Sequence, residues 1–215
     1  FKKQYPILVL GGMTGSGKTQ ILHKLKEKGE QIIDLEGLAQ HQGSSYGSMG
    51  YLNQPSQEHF ENLLAVALSK VDTDRPLWLE DESLSIGRCF IPNPIFKQIR
   101  ENTVFKVHIP LEERINFLVE EYGKLNRDFL IERTEKIGKR LGPEQTRDAI
   151  AAIKEGRMAD FIRIALYYYD KTYSNGQGKR RPESIKIIQC MHTNAEENSK
   201  LILEHLKKAD LTLVK

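Results

Sequence analysis

The chain has 215 residues, of which 39% are hydrophobic and 28% are charged, ordinary values for a soluble globular protein with a core. Its longest apolar stretches are strand-length and do not approach the ~20 residues that a membrane span needs, so we expect no membrane association. No secretory signal is visible, and Cys89 and Cys190 have no Cys or His at metal-binding spacing. These features argue against a disulfide framework or a zinc site and predict a reducing, cytoplasmic environment.

The net charge of +3 is too small on its own to imply nucleic acid, but its distribution is uneven. Residues 124–181 hold 14 Lys/Arg against 8 Asp/Glu, a net charge of +6, whereas the rest of the chain has a net charge of −3. A basic excess localised in this way can steer a polyanion. This block is therefore the predicted place of any contact with a nucleic acid.

The first half of the chain alternates strand-like and helix-like segments, a pattern that favours a parallel sheet covered by helices. A long polar loop, rich in Gly and Ser, is predicted at residues 37–55. The predicted elements in chain order are a strand at 7–10, a helix at 20–28, a strand at 31–35, an amphipathic helix at 56–71, a strand at 76–79, a helix around 95–101 and a strand at 103–109.

The pattern changes at residue 111, after which three or four helices are predicted to follow one another up to residue 173. Breaks are expected near Gly123 and at Gly142-Pro143, where Pro143 opens a helix because its missing N–H is not needed at that position. A strand at 184–189 and a helix at 195–208 close the chain. The prediction is one α/β domain over residues 1–215, with an all-helical insertion at about 111–173.

Residues 12–19 match the complete P-loop pattern, with a predicted strand before the motif and a predicted helix after it. Glycines let the backbone curl so that several N–H groups face one anion, and the helix dipole adds positive potential. Lys18 is expected to reach the terminal phosphate, and the Thr19 hydroxyl is expected to bind Mg²⁺ if this cofactor is used. The predicted phosphate-binding residues are Gly12, Thr14, Gly15, Ser16, Gly17, Lys18 and Thr19.

This motif makes the predicted fold a P-loop NTPase-like α/β fold, with a parallel sheet and helices on both of its faces. The signal is strong for a phosphate group. It does not by itself say which phosphate compound is bound, because this core hosts many activities.

Acidic residues follow two of the predicted strands. Glu80 and Asp81 come directly after an apolar strand, where a carboxylate commonly orients a metal ion or water in this fold. Asp34 lies near the carboxyl end of the second strand, where ligands bind in open α/β sheets. The sequence leaves structural alternatives open, namely a surface acid for Glu80 and Asp81 and a helix or turn cap for Asp34.

The basic block contains Arg133, Lys136 and Arg140, whose spacing puts them on one helix face, and a further cluster at 179–181. Either set could hold a nucleic-acid backbone or close over phosphates, and either could be a solvated surface. His41, in the polar loop beside the expected pocket, is a candidate ligand contact or a plain loop residue. The tyrosines at 167–169 are expected to pack, because helical geometry points them in different directions.

Several motifs together resemble those of the C-terminal domain of the tRNA 2-selenouridine synthase family. The resemblance covers most of the chain, and its second motif is far more specific than the P-loop alone. The matching segments are Gly12-Met13-Thr14-Gly15-Ser16-Gly17-Lys18-Thr19, Asp34-Leu35-Glu36-Gly37-Leu38-Ala39-x-His41-x-Gly43-Ser44, Leu79-Glu80-Asp81-Glu82-Ser83-x-x-Ile86-Gly87, Glu112-Glu113-Arg114, Glu120-Glu121-Tyr122-Gly123 and Arg140-Leu141-Gly142.

The resemblance implies a transferase that acts on the wobble 2-thiouridine of tRNA. Such an enzyme transfers a geranyl group from geranyl diphosphate to the sulfur, then replaces the geranylated sulfur with selenium from selenophosphate. Family members join a P-loop domain to an N-terminal rhodanese-like domain with a catalytic cysteine. That domain and an initiator Met are both missing here, so we expect the P-loop half of a longer protein, or a chain that works with a separate rhodanese partner.

Under this resemblance the P-loop holds a prenyl diphosphate, and Lys18 is the main countercharge for the leaving diphosphate. The acids at the strand ends would order a metal ion, a water or a substrate hydroxyl. The implied catalytic residues are Lys18, Asp34 and Asp81, and the implied substrate- or tRNA-binding residues are His41, Glu80, Arg88, Arg133, Lys136 and Arg140.

Two other functions stay open at this stage. A small-molecule kinase or ATPase would use the same core with the helical insertion as a lid. It predicts Mg²⁺-dependent nucleotide binding and turnover without tRNA. A non-catalytic tRNA-binding module predicts instead that Lys18→Ala leaves tRNA affinity and the level of modification unchanged.

Overall fold

The computed structural model describes residues 1–41, 46, 54–177 and 180–208, without the side chains of residues 174–177. The strands in this part of the chain are β1 (Ile7–Gly12), β2 (Gln31–Ile32), β3 (Leu77–Glu80), β4 (Ser85–Ile86), β5 (Cys89–Phe90), β6 (Val104–His108) and β7 (Ile185–Gln189). Five of them form a sheet in the order β2-β3-β1-β6-β7, in which every neighbouring pair is parallel. The short strands β4 and β5 form an antiparallel hairpin.

The helices alternate with the strands in the core and follow one another in the insertion. They are α1 (Lys18–Glu27), α2 (Leu35–Ala39), α3 (Gln57–Ser69), α4 (Asn93–Glu101), α5 (Leu111–Tyr122), α6 (Arg127–Leu141), α7 (Pro143–Glu155), α8 (Met158–Gln177) and α9 (Ala195–Lys208), with a 3₁₀ turn at Pro182–Ser184. No helix in the described part of the chain is long and apolar enough to span a bilayer.

The central strand β1 is buried on both faces of the sheet, as expected for a parallel sheet with helices on both sides. Ile7 and Val9 belong to a core cluster with residues of α3 and α4. Leu8 and Leu10 lie on the opposite face of the strand, and they belong to a second cluster with residues of α1 and α9. The predicted α/β fold, with a parallel sheet and helices on both faces, is confirmed.

Helices α5 to α8 have a hydrophobic core of their own, in which Phe161 and Ile162 are fully buried. Pro143 is the first residue of α7, where a missing N–H is not needed. Tyr46, from the segment after α2, is buried in the same cluster and its hydroxyl lies 3.0 Å from Thr134 Oγ1. The core of the insertion therefore includes Tyr46, a residue from outside the four helices.

The region after β1 and α1 differs from the prediction. The expected strand at 31–35 ends at Ile32, because the Asp34 side chain accepts a hydrogen bond from the Gly37 N–H at 2.7 Å and caps α2. The expected loop at 37–55 therefore begins inside a helix, and residues 42–45 and 47–53 of it lie outside the described residues. The hairpin of β4 and β5 was not predicted, since two-residue strands have no readable period.

Candidate active site

The P-loop connects β1 to α1 at the carboxyl edge of the sheet. Gly17 is the N-cap of α1, it provides no side-chain cap, and no acidic residue follows in the first turn. The N–H groups of a first helical turn have no acceptor within the helix, and the helix dipole adds positive potential there. The start of α1 is therefore suited to bind an anion.

Glycines fix the shape of this loop in two ways. Gly15 and Gly17 have φ angles of 80° and 70°, a region that residues with a Cβ rarely adopt. At Gly12 the constraint is space, because a Cβ there would lie 2.6 Å from Ser16 Oγ and 2.7 Å from Val107 Cγ2. The loop can therefore curl around an anion only with glycine at these positions.

Polar side chains of the loop line one large cavity. Lys18 Nζ donates to the Gly12 carbonyl at 3.0 Å, so the ammonium group lies back across the loop. The Thr19 hydroxyl donates to Glu36 Oε2 at 3.2 Å. Ser16 is buried, and its hydroxyl has no hydrogen-bond partner among the described residues. Lys18 and Ser16 together provide donors for the oxygens of a phosphate.

Helices α5 and α8 of the insertion hold the P-loop in place through hydrogen bonds. Arg114 of α5 donates to the Thr14 carbonyl at 3.0 Å and forms a two-point ion pair with Asp170 of α8, at 2.9 and 2.7 Å. The Gly12 N–H donates to the hydroxyl oxygen of Tyr173, also on α8, at 3.0 Å. The position of the P-loop therefore depends on how α5 and α8 pack.

Three carboxylates meet beside Lys18 and Thr19. Glu36, Glu80 and Glu82 each place an oxygen within 4.8 Å of the others. Glu80 is 1% exposed, and neither of its oxygens has a hydrogen-bond partner in the described part of the chain. Burial, followed by the charge of Glu36, raises the pKa of Glu80 to about 8, and burial also raises the pKa values of Glu36 and Glu82.

A divalent cation would fit this cluster. All the groups present are oxygen donors, the kind that Mg²⁺ prefers. Two positive charges would offset the repulsion among the carboxylates and the cost of burying Glu80.

The two predicted catalytic aspartates are engaged with neighbouring elements. Asp81 Oδ1 forms ion pairs with Arg180 at 2.6 Å and with Arg100 at 3.3 Å. Asp34 caps α2, and its Oδ2 lies 2.9 Å from His23 Nε2. These contacts give both aspartates a structural role, and a catalytic role for either one stays a prediction.

The basic residues predicted on one helix face come together on the insertion side of the cavity. Arg133, Lys136 and Arg140 of α6 all line it, and so does His41 from the core. His41 is 9% exposed, and burial, followed by the charge of Arg133, lowers its pKa. The cavity between this helix and the P-loop has a volume of about 1380 Å³.

The sequence profile of the family described as the tRNA 2-selenouridine synthase AAA domain matches residues 5–208. The chain belongs to this family. The tRNA 2-selenouridine synthase of Shewanella loihica is 40% identical over 153 residues, which cover 70% of this chain and 40% of the relative. That of Shewanella piezotolerans is 38% identical over 192 residues, covering 86% of this chain and 51% of the relative. The chain thus spans about half, or less, of the length of these curated relatives.

Two solved structures also align with the chain, at low similarity. One is the TT1252 protein of Thermus thermophilus, with a TM-score of 0.46, 15% identity and coverage of 97% of this chain and 99% of that one. The other is an unliganded sugar kinase from a Janibacter species, with a TM-score of 0.40, 15% identity and coverage of 99% and 100%. Neither likeness bears on the function of this chain.

Two other basic positions in this chain lie away from the cavity lining. Arg88 is in the turn between β4 and β5, where its guanidinium donates to the Gln54 carbonyl, so a contact with tRNA stays a prediction. Arg180, from the cluster at 179–181, is 7% exposed and donates to carbonyls at the end of α4 as well as to Asp81. Arg180 therefore belongs to the framework, and Lys179 lies outside the described residues.

The sequence assigned no site role to Glu36, Glu82, Arg114 or Tyr173. Glu36 and Glu82 lie close in sequence to the predicted acids Asp34 and Asp81, inside the second and third motifs of the selenouridine synthase family. This position could have identified them as candidate site residues. Tyr173 meets Gly12 across 161 residues of sequence and Arg114 meets Thr14 across 100. No local pattern predicts such contacts.

Proposed function

We propose that this domain binds the diphosphate of geranyl diphosphate in its P-loop and takes part in modifying the wobble 2-thiouridine of tRNA. The proposed sequence is S-geranylation, followed by replacement of the geranylated sulfur with selenium from selenophosphate. Membership of the tRNA 2-selenouridine synthase family supports the tRNA-modifying role. The observation that carries the diphosphate assignment is the P-loop, with an uncapped helix start and the Lys18 ammonium beside it.

In the proposed first step the sulfur of 2-thiouridine attacks C1 of the geranyl group. The carbon–oxygen bond breaks, diphosphate leaves with the bonding electrons, and the N3 proton of the 2-thiouridine is released to water. Fixed N–H groups and the Lys18 ammonium stabilise the charge that develops on this leaving group, without covalent chemistry by the protein. In the proposed second step selenium from selenophosphate displaces the sulfur, which leaves as geranylthiol, and water releases the phosphate. This exchange needs the rhodanese domain.

Mg²⁺ is part of the proposal, with Thr19, Glu36, Glu80 and Glu82 as the residues that would hold it. The cation would supply positive charge to the diphosphate. Lys18 and the amides of the loop keep their own role in binding and orienting the phosphates. Asp34 and Asp81 are proposed to keep α2 and the loop in position for this step.

The tRNA is proposed to approach the insertion side of the cavity. Arg133, Lys136 and Arg140 share one face of α6 there, and they sit in the most basic part of the chain. Arg88 is proposed as a more distant backbone contact. The matches cover only 40% and 51% of these curated relatives, which supports a further domain in the complete protein, and we propose that it is the rhodanese domain.

The test is a calorimetric titration of the chain with geranyl diphosphate and, separately, with ATP and GTP, each with and without Mg²⁺. We expect geranyl diphosphate to bind more tightly than either nucleotide, and Lys18→Ala to abolish this binding. Lys24→Ala is the matched control, since Lys24 lies on the same helix and pairs with Glu27 at the surface. Tight Mg²⁺-dependent ATP binding without a response to geranyl diphosphate would favour a kinase or ATPase instead.

A further inference from the structure

Six apolar and aromatic side chains from three helices of the insertion line the cavity, among charged side chains of the same helices such as Glu121 and Lys136. The six are Phe117, Leu118 and Tyr122 of α5, Ile137 of α6, and Tyr168 and Tyr169 of α8. These six residues are called the apolar wall below. The phosphate chemistry proposed above uses none of them.

The apolar wall begins directly at the P-loop. A Cβ placed on Gly15 would lie 2.9 Å from Leu118 Cδ1, and a Cβ placed on Gly17 would lie 4.0 Å from Phe117 Cε2. Carbon atoms of α5 are thus in van der Waals range of the loop that binds phosphate. Leu118 and Phe117 are thus apolar side chains that lie directly beside the loop, next to the backbone oxygens of Arg114 and Thr193.

The wall is held by the core of the insertion. Leu118 and Ile137 are 6% and 5% exposed and belong to the hydrophobic cluster of α5 to α8. The rings of Tyr168 and Tyr169 lie 5.2 Å apart, and the Tyr169 ring lies 6.4 Å from that of buried Tyr46. Phe117 is only half-buried, so part of its ring is open to a ligand.

The cavity has space for more than a diphosphate. Its volume of about 1380 Å³ exceeds the roughly 300–1,000 Å³ of ordinary small-molecule pockets. None of the six side chains of the apolar wall carries an amide or a positive charge. The hydroxyls of Tyr122, Tyr168 and Tyr169 are its only polar side-chain groups, so most of the surface it offers is carbon, which suits a hydrocarbon better than a further phosphate.

We propose that the apolar wall, starting at Phe117, binds the hydrocarbon chain of the prenyl diphosphate whose diphosphate is held by the P-loop. This rests on the proposed function, because it assumes that a prenyl diphosphate is the ligand. Phe117 is the residue that sets how strongly the chain contributes to affinity. It stands at the junction of loop and wall, where the first carbons of such a ligand pass.

The experiment is a ligand series measured by titration calorimetry on the whole chain. The ligands are inorganic diphosphate, dimethylallyl diphosphate, geranyl diphosphate and ADP. We expect affinity to rise with each isoprene unit, because each buried CH₂ group adds to binding. Geranyl diphosphate should bind at least about ten-fold more tightly than inorganic diphosphate, which corresponds to ~1.4 kcal/mol.

The variants are Phe117→Ala, Phe117→Leu and the control Val119→Ala. Val119 lies on the same helix and packs on the same cluster, but it does not line the cavity. We expect Phe117→Ala to lower geranyl diphosphate affinity about ten-fold and inorganic diphosphate affinity less than about two-fold. Phe117→Leu should recover most of this loss, since it restores apolar surface, and Val119→Ala should leave the series unchanged.

The outcomes separate this inference from the function on which it rests. Equal affinity for inorganic and geranyl diphosphate in the unmodified chain would overturn the apolar wall and leave the P-loop assignment intact. If affinity rises with the length of the ligand's hydrocarbon chain and Phe117→Ala does not reduce this rise, the role of Phe117 is overturned. A gain for ADP without a gain for geranyl diphosphate would show that the wall holds a base. No binding of any diphosphate would overturn the proposed function itself.

Discussion

On the core side of the cavity, the backbone fixes the functional groups. The P-loop takes its shape from glycines at positive φ, and Lys18 is tied to the Gly12 carbonyl. On the insertion side, the cations stand on one face of α6, where Lys136 and Arg140 are exposed. The core side is thus organised before a ligand arrives, whereas the side chains of Lys136 and Arg140 can still adjust to a partner. This division suits a fixed small anion on one side and a large polyanion on the other.

A similar contrast separates two neighbouring residues, Glu80 and Asp81. Both lie at the end of β3 and both have buried side chains, but the Asp81 carboxylate is held by Arg180 and Arg100. Glu80 instead meets Glu36 and Glu82, and its pKa rises to about 8. One acid therefore supports the framework, and the other is available to a proton or a cation.

The largest effect is expected at the framework acid. Arg180→Met removes a buried partner of Asp81, and breaking a buried ion pair costs ~3–5 kcal/mol of unfolding free energy. Arg181→Met is the control, because the neighbouring Arg181 side chain is exposed. Urea denaturation of both variants measures the difference, and equal stabilities would show that Arg180 is not part of the framework.

The next largest effect concerns the core side of the cavity. Lys18→Ala should weaken geranyl diphosphate binding at least about 100-fold, to below detection in the titration, since a charge-assisted contact with phosphate is lost. The melting temperature should change little, because Lys18 is only half-buried. Titration beside thermal unfolding separates the two effects, and a fully retained affinity would remove Lys18 from the phosphate site.

A smaller effect is expected from Glu80→Gln in the presence of EDTA. The folded pKa of Glu80, about 8, lies above the ordinary value of 4.5, so the folded state binds the proton more tightly. The stability from this proton is fully present below about pH 4.5 and is lost as the pH rises through about 8. Glu36 and Glu82, whose pKa values are also raised, act in the same direction.

Glu80→Gln should therefore reduce the fall in unfolding free energy between about pH 5 and pH 8, by on the order of 2 kcal/mol. The measurement is chemical denaturation at several pH values, with Glu204→Gln, an exposed site on α9, as the control. Added Mg²⁺ should stabilise the unmodified chain at pH 8 more than the variant. An unchanged pH profile would mean that Glu80 is already ionised in the folded protein.

The smallest effect is expected on the insertion side. The double substitution Arg133→Gln and Arg140→Gln should weaken binding of thiolated tRNA several-fold. The slope of log affinity against log salt concentration should become shallower by about two, one for each lost phosphate contact. Arg147→Gln, an exposed position on α7, is the matched control. Fluorescence anisotropy at several salt concentrations measures both quantities. A loss that is equal in the control would indicate a general charge effect rather than a binding face.

Short sequence patterns predicted the parts of the fold that depend on only a few neighbouring residues. The P-loop and the start of α7 at Pro143 follow from backbone preferences of a few residues, and the helix at 195–208 has the bounds of α9. The end of β2 was wrong by three residues, because the Asp34 cap competes with strand pairing only once α2 forms.

The partners of the acids were not predictable in the same way. Asp81 reaches Arg180 across 99 residues, and Tyr173 reaches Gly12 across 161. The sequence placed Glu80 and Asp81 together as candidates, and only their tertiary neighbours distinguish the framework acid from the available one. The role of Arg180 was not predictable from the sequence either. Its basic cluster has the pattern of a solvated loop, and only the contacts of Arg180 with carbonyls at the end of α4 show that it is part of the framework.

The most direct test of the diphosphate assignment is ³¹P NMR of geranyl diphosphate mixed with the chain, with and without Mg²⁺. We predict that both phosphorus resonances shift and broaden with the unmodified chain, and that Lys18→Ala leaves them at their free positions. Unshifted resonances with the unmodified chain, under conditions in which the resonances of ATP do shift, would contradict the account.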